Sequence, residues 1–253
     1  MGLCLRGYMK NLNWIQNNLI AHRGLHSIDL SVPENSIASY TKALEKGYSI
    51  ELDINVLKDG TVLAFHDHHF KRMCNDDREL RDVTYEECKN LKLLKTEEKI
   101  PKFDQVLKII NGKVPLLIEL KPHGDVIFLC ESFMKTIQDY QGAWAIFSFH
   151  PKVVSWFKKY HPEIIRGQIS EYFKDDKKMN FIAKYLMKSL FFNRFTKPDF
   201  VSYGIYDMPN KYLDKLMKKG LTVISYAARS QKEYDFVKSH YHNTVFEFFE
   251  PKI

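Results

Sequence analysis

Residues 51–67 read ELDINVLKDGTVLAFHD, two runs of strand-forming residues joined at Asp59-Gly60. Asp-Gly between such runs is a strong signal for a two-residue hairpin turn. With that turn, Lys58 pairs with Thr61 and, counting back, Asp53 with His66. Directly opposed residues share a face of the ribbon, with Cβ atoms about 4.5–5.5 Å apart. Side chains alternate with period two, so Glu51 lies on that face as well. One local rule thus predicts that Glu51, Asp53 and His66 converge.

Strand-like runs recur outward from this point, near 18–22, 49–54, 114–120, 143–149, 164–169, 199–203, 222–227 and 244–248. Stretches of helical periodicity lie between them, at 36–46, 125–140, 151–160, 210–219 and 230–239. Eight strands alternating with helices predict a (β/α)8 TIM barrel. A doubly wound open sheet is the competing arrangement, but no G-x-G-x-x-G follows the first strand, so a dinucleotide site has no support. The ninth run, 61–66, is expected to form a β-hairpin extension above the rim. Residues 67–113 are expected to form a small cap-like insertion, and 170–198 is a second long connection. No internal repeat or low-complexity tract divides the chain, which is therefore expected to be one domain over 1–253.

The composition agrees with a folded enzyme-sized chain. Of 253 residues, 45% are hydrophobic and 27% charged, which excludes disorder or coiled coil as a description of the whole. No run approaches the roughly 18 apolar residues of a membrane span, and the first twenty residues have no secretory apolar core. Met1-Gly2 opens like a myristoylation signal, but Arg6 stands where Ser or Thr is wanted. Cys4, Cys74, Cys88 and Cys130 form no C-x-x-C pair and are expected to be reduced thiols in a cytoplasmic protein. The net charge of +7 favours an anionic partner. Nucleic acid is not expected, since no interleaved aromatic–basic motif appears.

Four clusters stand at the predicted strand ends: His22-Arg23-Gly24, Glu51 with Asp53, His66-Asp67, and Glu119 with Lys121. Each alone has an ordinary explanation as a turn, a polar row or a surface ion pair. Together they place charge at the C-terminal ends of barrel strands, where barrel active sites sit and where buried charge otherwise has little reason to occur. Three crowded carboxylates require a cation between them, and oxygen ligands suit Mg2+ or Ca2+, with Mn2+ also compatible, better than zinc.

The motifs IAHRG (20–24), PENS (33–36), ELDINVLKDGTVLAFHD and IELK (118–121) resemble those of the glycerophosphodiester phosphodiesterase family. Later segments at 147–149 and 197–199 fit more loosely. The resemblance implies a (β/α)8 barrel and metal-dependent hydrolysis of glycerophosphodiesters to glycerol 3-phosphate and an alcohol. It implies His22 and His66 as the acid/base pair, in either order, Glu51, Asp53 and Glu119 as ligands of one divalent cation, and Arg23 and Lys121 as phosphate contacts. Where the family has a Trp-Thr pair near the penultimate strand, this chain has Tyr226-Ala227, so Tyr226 is expected to form the aromatic wall of the substrate site and to add a hydroxyl. Within PENS, Asn35 or Ser36 is expected to cap the first helix, and Glu34 to serve the loop rather than the ligand set.

Two other functions compete. A non-catalytic anion-binding barrel is disfavoured because every expected catalytic and metal position is filled. A lysophospholipid-directed phosphodiesterase at the membrane surface rests on KKMNFIAKYLMKSLFFNRFTK (177–197), which holds six Lys or Arg and no acid. On a helix Lys177, Lys184 and Lys188 fall within about 40° of one another, and such a stripe beside apolar residues suits peripheral contact with an anionic membrane. The favoured alternative is a barrel helix with its apolar side on the strands and its lysines in water.

Overall fold

The computed structural model describes residues 10–253, so the expectations for Gly2 and Cys4 lie outside the described residues. The strands are β1 (Ile20–Ala21), β2 (Ser49–Val56), β3 (Val62–Ala64), β4 (Leu116–Leu120), β5 (Trp144–Ser148), β6 (Arg166–Ser170), β7 (Phe200–Gly204), β8 (Thr222–Ala228) and β9 (Asn243–Phe246). All but β3 run parallel, in the order β1-β2-β4-β5-β6-β7-β8-β9, and β9 pairs back onto β1. The sheet is a closed eight-stranded barrel, as the alternation of elements predicts. Helices Ile37–Glu45, Phe103–Ile110, Val126–Ile137, Pro151–Tyr160, Lys211–Met217 and Gln231–His240 stand between strands.

Residue parity sorts the two faces of the wall. Ile50, Leu52 and Ile54 of β2 and Leu116, Ile118 and Leu120 of β4 pack outward with Phe103, Val106 and Ile110, the buried stripe of the Phe103–Ile110 helix. Ile20, Leu117, Ala145, Phe147, Ile169, Phe200, Ile224 and Val245 point inward and fill the barrel, joined by Ile15 of the Asn13–Asn17 helix. Burying side chains of this size stabilises the fold by roughly 1.5–3 kcal/mol each. Counting two residues on from these inward positions reaches His22, Glu119, Tyr226 and Glu247. The inward row of β2 is polar instead: Ser49, Glu51, Asp53 and Asn55, all buried.

The hairpin forms with a register one residue from the expected one. Ile54 pairs with Ala64, Asn55 with Leu63 and Val56 with Val62, so Asp53 lies opposite Phe65 rather than His66. The turn is a three-residue loop, Lys58-Asp59-Gly60, closed by Leu57 N–H donating to Thr61 O at 2.9 Å, with Gly60 at φ 83°. Lys58 cannot pair with Thr61 because its N–H donates to Val83 O of the insertion.

That insertion has its own apolar cluster, in which Leu57, Leu63 and Phe65 of the hairpin bury against Phe70, Met73, Leu80, Val83, Cys88, Leu93 and Ile100. Helix Phe103–Ile110 packs with the barrel core instead, so the separate cluster ends before it. The 177–197 segment does not form a wall helix of the favoured kind. Helix Phe181–Lys188 has no buried residue and is tied to the rim at its C-terminal end, where Ser170 Oγ donates to Met187 O and Tyr203 OH to Lys188 O. Cys74, Cys88 and Cys130 are free thiols, and among the described residues no helix is long and apolar enough to cross a membrane.

Candidate active site

The HRG segment leaves β1 at the rim. His22 N–H still donates to Phe246 O, while Arg23 and Gly24 turn the chain with φ of 53° and 77°. A Cβ on Gly24 would lie 2.5 Å from Ser39 Oγ, so both the positive φ and the close approach to the first barrel helix require glycine. The turn aims the Arg23 N–H at Glu51 Oε2, 2.9 Å away. In PENS, Ser36 is the helix cap, accepting from Ser39 N–H. Asn35 is a buried clamp on Asp53: its Nδ2 donates to Asp53 Oδ2, and its Oδ1 accepts from Asp53 N–H and Tyr40 OH.

Glu51, Asp53 and Glu119 are buried and offer carboxylate oxygens that all lie within 4.8 Å of one another. Arg23 Nε stands 3.1 Å from Asp53 Oδ2, and Lys121 Nζ is 3.0 Å from Glu119 Oε1 and 3.6 Å from Asp53 Oδ1. Burial and the neighbouring Asp53 and Glu119 charges push Glu51 well above the usual carboxylate range. Burial also raises Glu119, against the pull of Lys121. Asp53 goes the other way: Arg23, His66, Lys121 and the Asn35 amide outweigh its burial and hold it below the usual range. Asp53 Oδ1 has no hydrogen-bond donor among the described residues. A buried oxygen left without a donor, in a set of three converging carboxylates, fits a hard divalent cation.

Two histidines face this cluster, each with Nδ1 on a carboxylate. His22 Nδ1 is 2.6 Å from Glu247 Oε2, and its Nε2 is 3.9 Å from Glu51 Oε2. His66 Nδ1 is 2.7 Å from Asp67 Oδ1. The carboxylate fixes the proton on Nδ1 and leaves Nε2 free for chemistry. Burial and the Arg23 cation lower the His22 pKa from its ordinary 6.5, against the Glu247 carboxylate. Glu247 is held below the usual range despite its burial, because His22, His26 and Arg229 surround it.

His66 reaches the site by a bend rather than by strand pairing. The side-chain Nδ2 of Asn55, at the top of β2, donates to the backbone oxygens of Phe65, His66 and Asp67 at 2.8, 3.3 and 3.3 Å. This clamp turns the chain inward beyond β3. Arg72 then holds Asp67 and donates two further bonds to Glu34, which also accepts from Arg23. Glu34 thus orders two arginines and stands outside the carboxylate triad.

His22, Arg23, Glu51, His66, Glu119, Lys121 and Tyr226 line one cavity of about 290 Å3, with Asp53 buried beneath it. The Tyr226 ring stands nearly perpendicular to that of Phe149, while its hydroxyl donates to Glu171 Oε2 at 3.0 Å. The hydroxyl is therefore engaged by the wall. Sequence reasoning missed Glu247, Arg229 and Asn55, and it gave Asn35 a capping role in place of its clamp on Asp53. Glu247 was within reach of it, being two residues past the inward Val245 at a strand end.

The chain is similar to known proteins in sequence and in fold. The chain is 27% identical to the protein YhdW of Bacillus subtilis (strain 168) over 229 residues, 85% of this chain and 87% of that one. It is 37% identical to the glycerophosphodiester phosphodiesterase of Caldanaerobacter subterraneus subsp. tengcongensis over 132 residues, 48% of this chain and 53% of the relative. The fold matches that of a phosphodiesterase of Oleispira antarctica solved with the product sn-glycerol-3-phosphate, at a TM-score of 0.77 and 20% identity over 92% of this chain and 94% of that one. The profile of the Glycerophosphoryl diester phosphodiesterase family matches residues 22–245, from the first rim histidine to the last barrel strand, and the chain belongs to that family.

Proposed function

We propose that this protein hydrolyses glycerophosphodiesters to glycerol 3-phosphate and an alcohol. The observation that carries the reading is the pairing of two histidines, each oriented by a carboxylate, across a cavity set over three buried carboxylates and edged by two half-buried cations. Glu51, Asp53 and Glu119 would hold one Mg2+ or Ca2+, with Mn2+ as a substitute. That ion supplies positive charge where the phosphate gains negative charge in the transition state.

The chain's own groups do the rest. Arg23 and Lys121 bind the non-bridging oxygens, the first as a fork and the second as a point charge. His22, kept neutral by burial and by Arg23, takes a proton at Nε2 from the attacking oxygen. His66 gives a proton to the leaving alkoxide, and Tyr226 with Phe149 shields one side from water. The free thiols of Cys74, Cys88 and Cys130 support a cytoplasmic setting. Phosphorus and proton NMR of the purified protein with glycerophosphocholine and a divalent cation test the reading: glycerol 3-phosphate and choline are expected in equal amounts. Release of phosphocholine, or no reaction, would refute it.

A second reading concerns where the protein works. Phe181, Ile182, Tyr185 and Phe195 are 81%, 55%, 55% and 58% exposed, on the segment that carries Lys177, Lys184 and Lys188. Apolar side chains projecting beside lysines suit peripheral contact with an anionic bilayer. Co-sedimentation with anionic vesicles should be strong at low salt and fall steeply toward 0.15 M, where the screening length is about 8 Å. Replacing Lys177, Lys184 and Lys188 together by Gln should abolish it. Absence of sedimentation even at low salt rules the contact out.

A further inference from the structure

Beside the catalytic cavity lies a second, larger groove of about 500 Å3. Glu119, Lys121 and Phe149 line both spaces. From that shared edge the groove is walled by Phe149, Phe173, Met179, Leu186, Met187 and Phe192. Phe149 is the partition. Its ring stands edge-on to Tyr226 on the catalytic side and to Phe173 on the groove side, with centroids 5.7 and 6.0 Å apart. The outer wall is helix Phe181–Lys188, which contributes Ala183, Leu186 and Met187 from its half-buried side. A small polar diester has no use for such a space, and an apolar groove continuous with a phosphate site matches a ligand that is charged at one end and hydrocarbon at the other.

We propose that the groove takes the hydrocarbon chain of the substrate, so that the site is built for a monoacyl glycerophosphodiester, a lysophospholipid. This rests on the hydrolytic reading above. Lys121 belongs to both spaces, so a phosphate bound there places an acyl chain on the adjoining glycerol at the mouth of the groove without a passage through solvent. One groove accommodates one chain. The chemistry is unchanged: the oxygen of water bonds to phosphorus and the bond from phosphorus to the headgroup oxygen breaks. One proton passes to that oxygen, and the products are 1-acylglycerol 3-phosphate and the headgroup alcohol.

Each methylene withdrawn from water strengthens binding by roughly fourfold at most, so chain length is a direct measure of the groove. Hydrolysis of 1-acylglycerophosphocholines from butyryl to dodecanoyl, each below its critical micelle concentration, is compared with that of glycerophosphocholine. The expected result is a rise in kcat/KM of at least about tenfold along the series. Ala183→Trp, which fills the groove, and Met187→Asp, which charges its wall, should each remove most of that rise. Both positions are half-buried, and a circular dichroism melt confirms folding. Turnover of glycerophosphocholine with a flat chain-length series, or a series equally steep in both variants, overturns the groove assignment and leaves the hydrolytic reading intact. A rise seen only when the chain is placed on the leaving alcohol overturns the lysophospholipid assignment. No turnover of any of these diesters overturns the hydrolytic reading and this one together.

Discussion

Dialysed against EDTA, the protein is expected to turn over no glycerophosphodiester, and Mg2+, Mn2+ or Ca2+ should restore the rate. Three buried carboxylates with oxygens within 4.8 Å of one another repel strongly at low dielectric, and Glu51 and Glu119 respond by holding their protons. A cation must displace those protons to bind, so its affinity should rise with pH across the range in which the metal-free carboxyls titrate. Both pKa values are raised, so that range extends above the ordinary 4.5. Glu51→Ala, Asp53→Ala and Glu119→Ala should each lose activity that ordinary metal concentrations do not recover. Thermal melting supplies an activity-independent check: the native protein should gain stability with added metal according to its occupancy, and the three variants should not. Full activity in excess EDTA, or an affinity that does not change with pH, would remove the cation from this site.

How much of this was visible beforehand follows from the range over which each rule acts. Parity along a strand is local and strict, so Ile20 to His22, Leu117 to Glu119 and Ile224 to Tyr226 could be read directly, and the closed barrel with them. Glu247 obeys the same rule from Val245 and was overlooked because no family motif drew attention to it. The hairpin register was not local. Lys58 N–H donates to Val83 O and the Asp59 carboxylate accepts from Tyr85 N–H, both partners in the insertion, and these contacts open the Asp-Gly turn by one residue. His66 nevertheless arrives beside Asp53, because the Asn55 amide bends residues 65–67 inward. The residues converge, but through the Asn55 clamp and not through strand pairing. The lysine stripe does not form on one helix: Phe181–Lys188 carries Lys184 and Lys188 but begins after Lys177, and periodicity alone could not tell that this helix would lie across the rim, since that depends on the Ser170 and Tyr203 hydroxyls reaching its last turn.

His22→Ala and His66→Ala should each lower kcat by roughly 10²–10⁴, the ordinary worth of a positioned acid or base. The double variant should lose less than the product of the two, because both histidines serve one transition state. Their pH profiles should separate them. His22 works as a base, so the native rate falls as pH drops through its folded pKa, which burial and Arg23 place below 6.5; His22→Ala should lose that acidic limb. His66→Ala should keep that limb. Glu247→Gln tests the positioning of His22 separately. It keeps a group 2.6 Å from Nδ1 but removes the negative charge that favours the imidazolium, and should lower kcat while leaving KM nearly unchanged, with the His22 pKa moving further down. An acidic limb that persists in His22→Ala would transfer the base role to another group. A Glu247→Gln variant with native kcat and an unmoved acidic limb would show that the carboxylate behind His22 serves the fold alone.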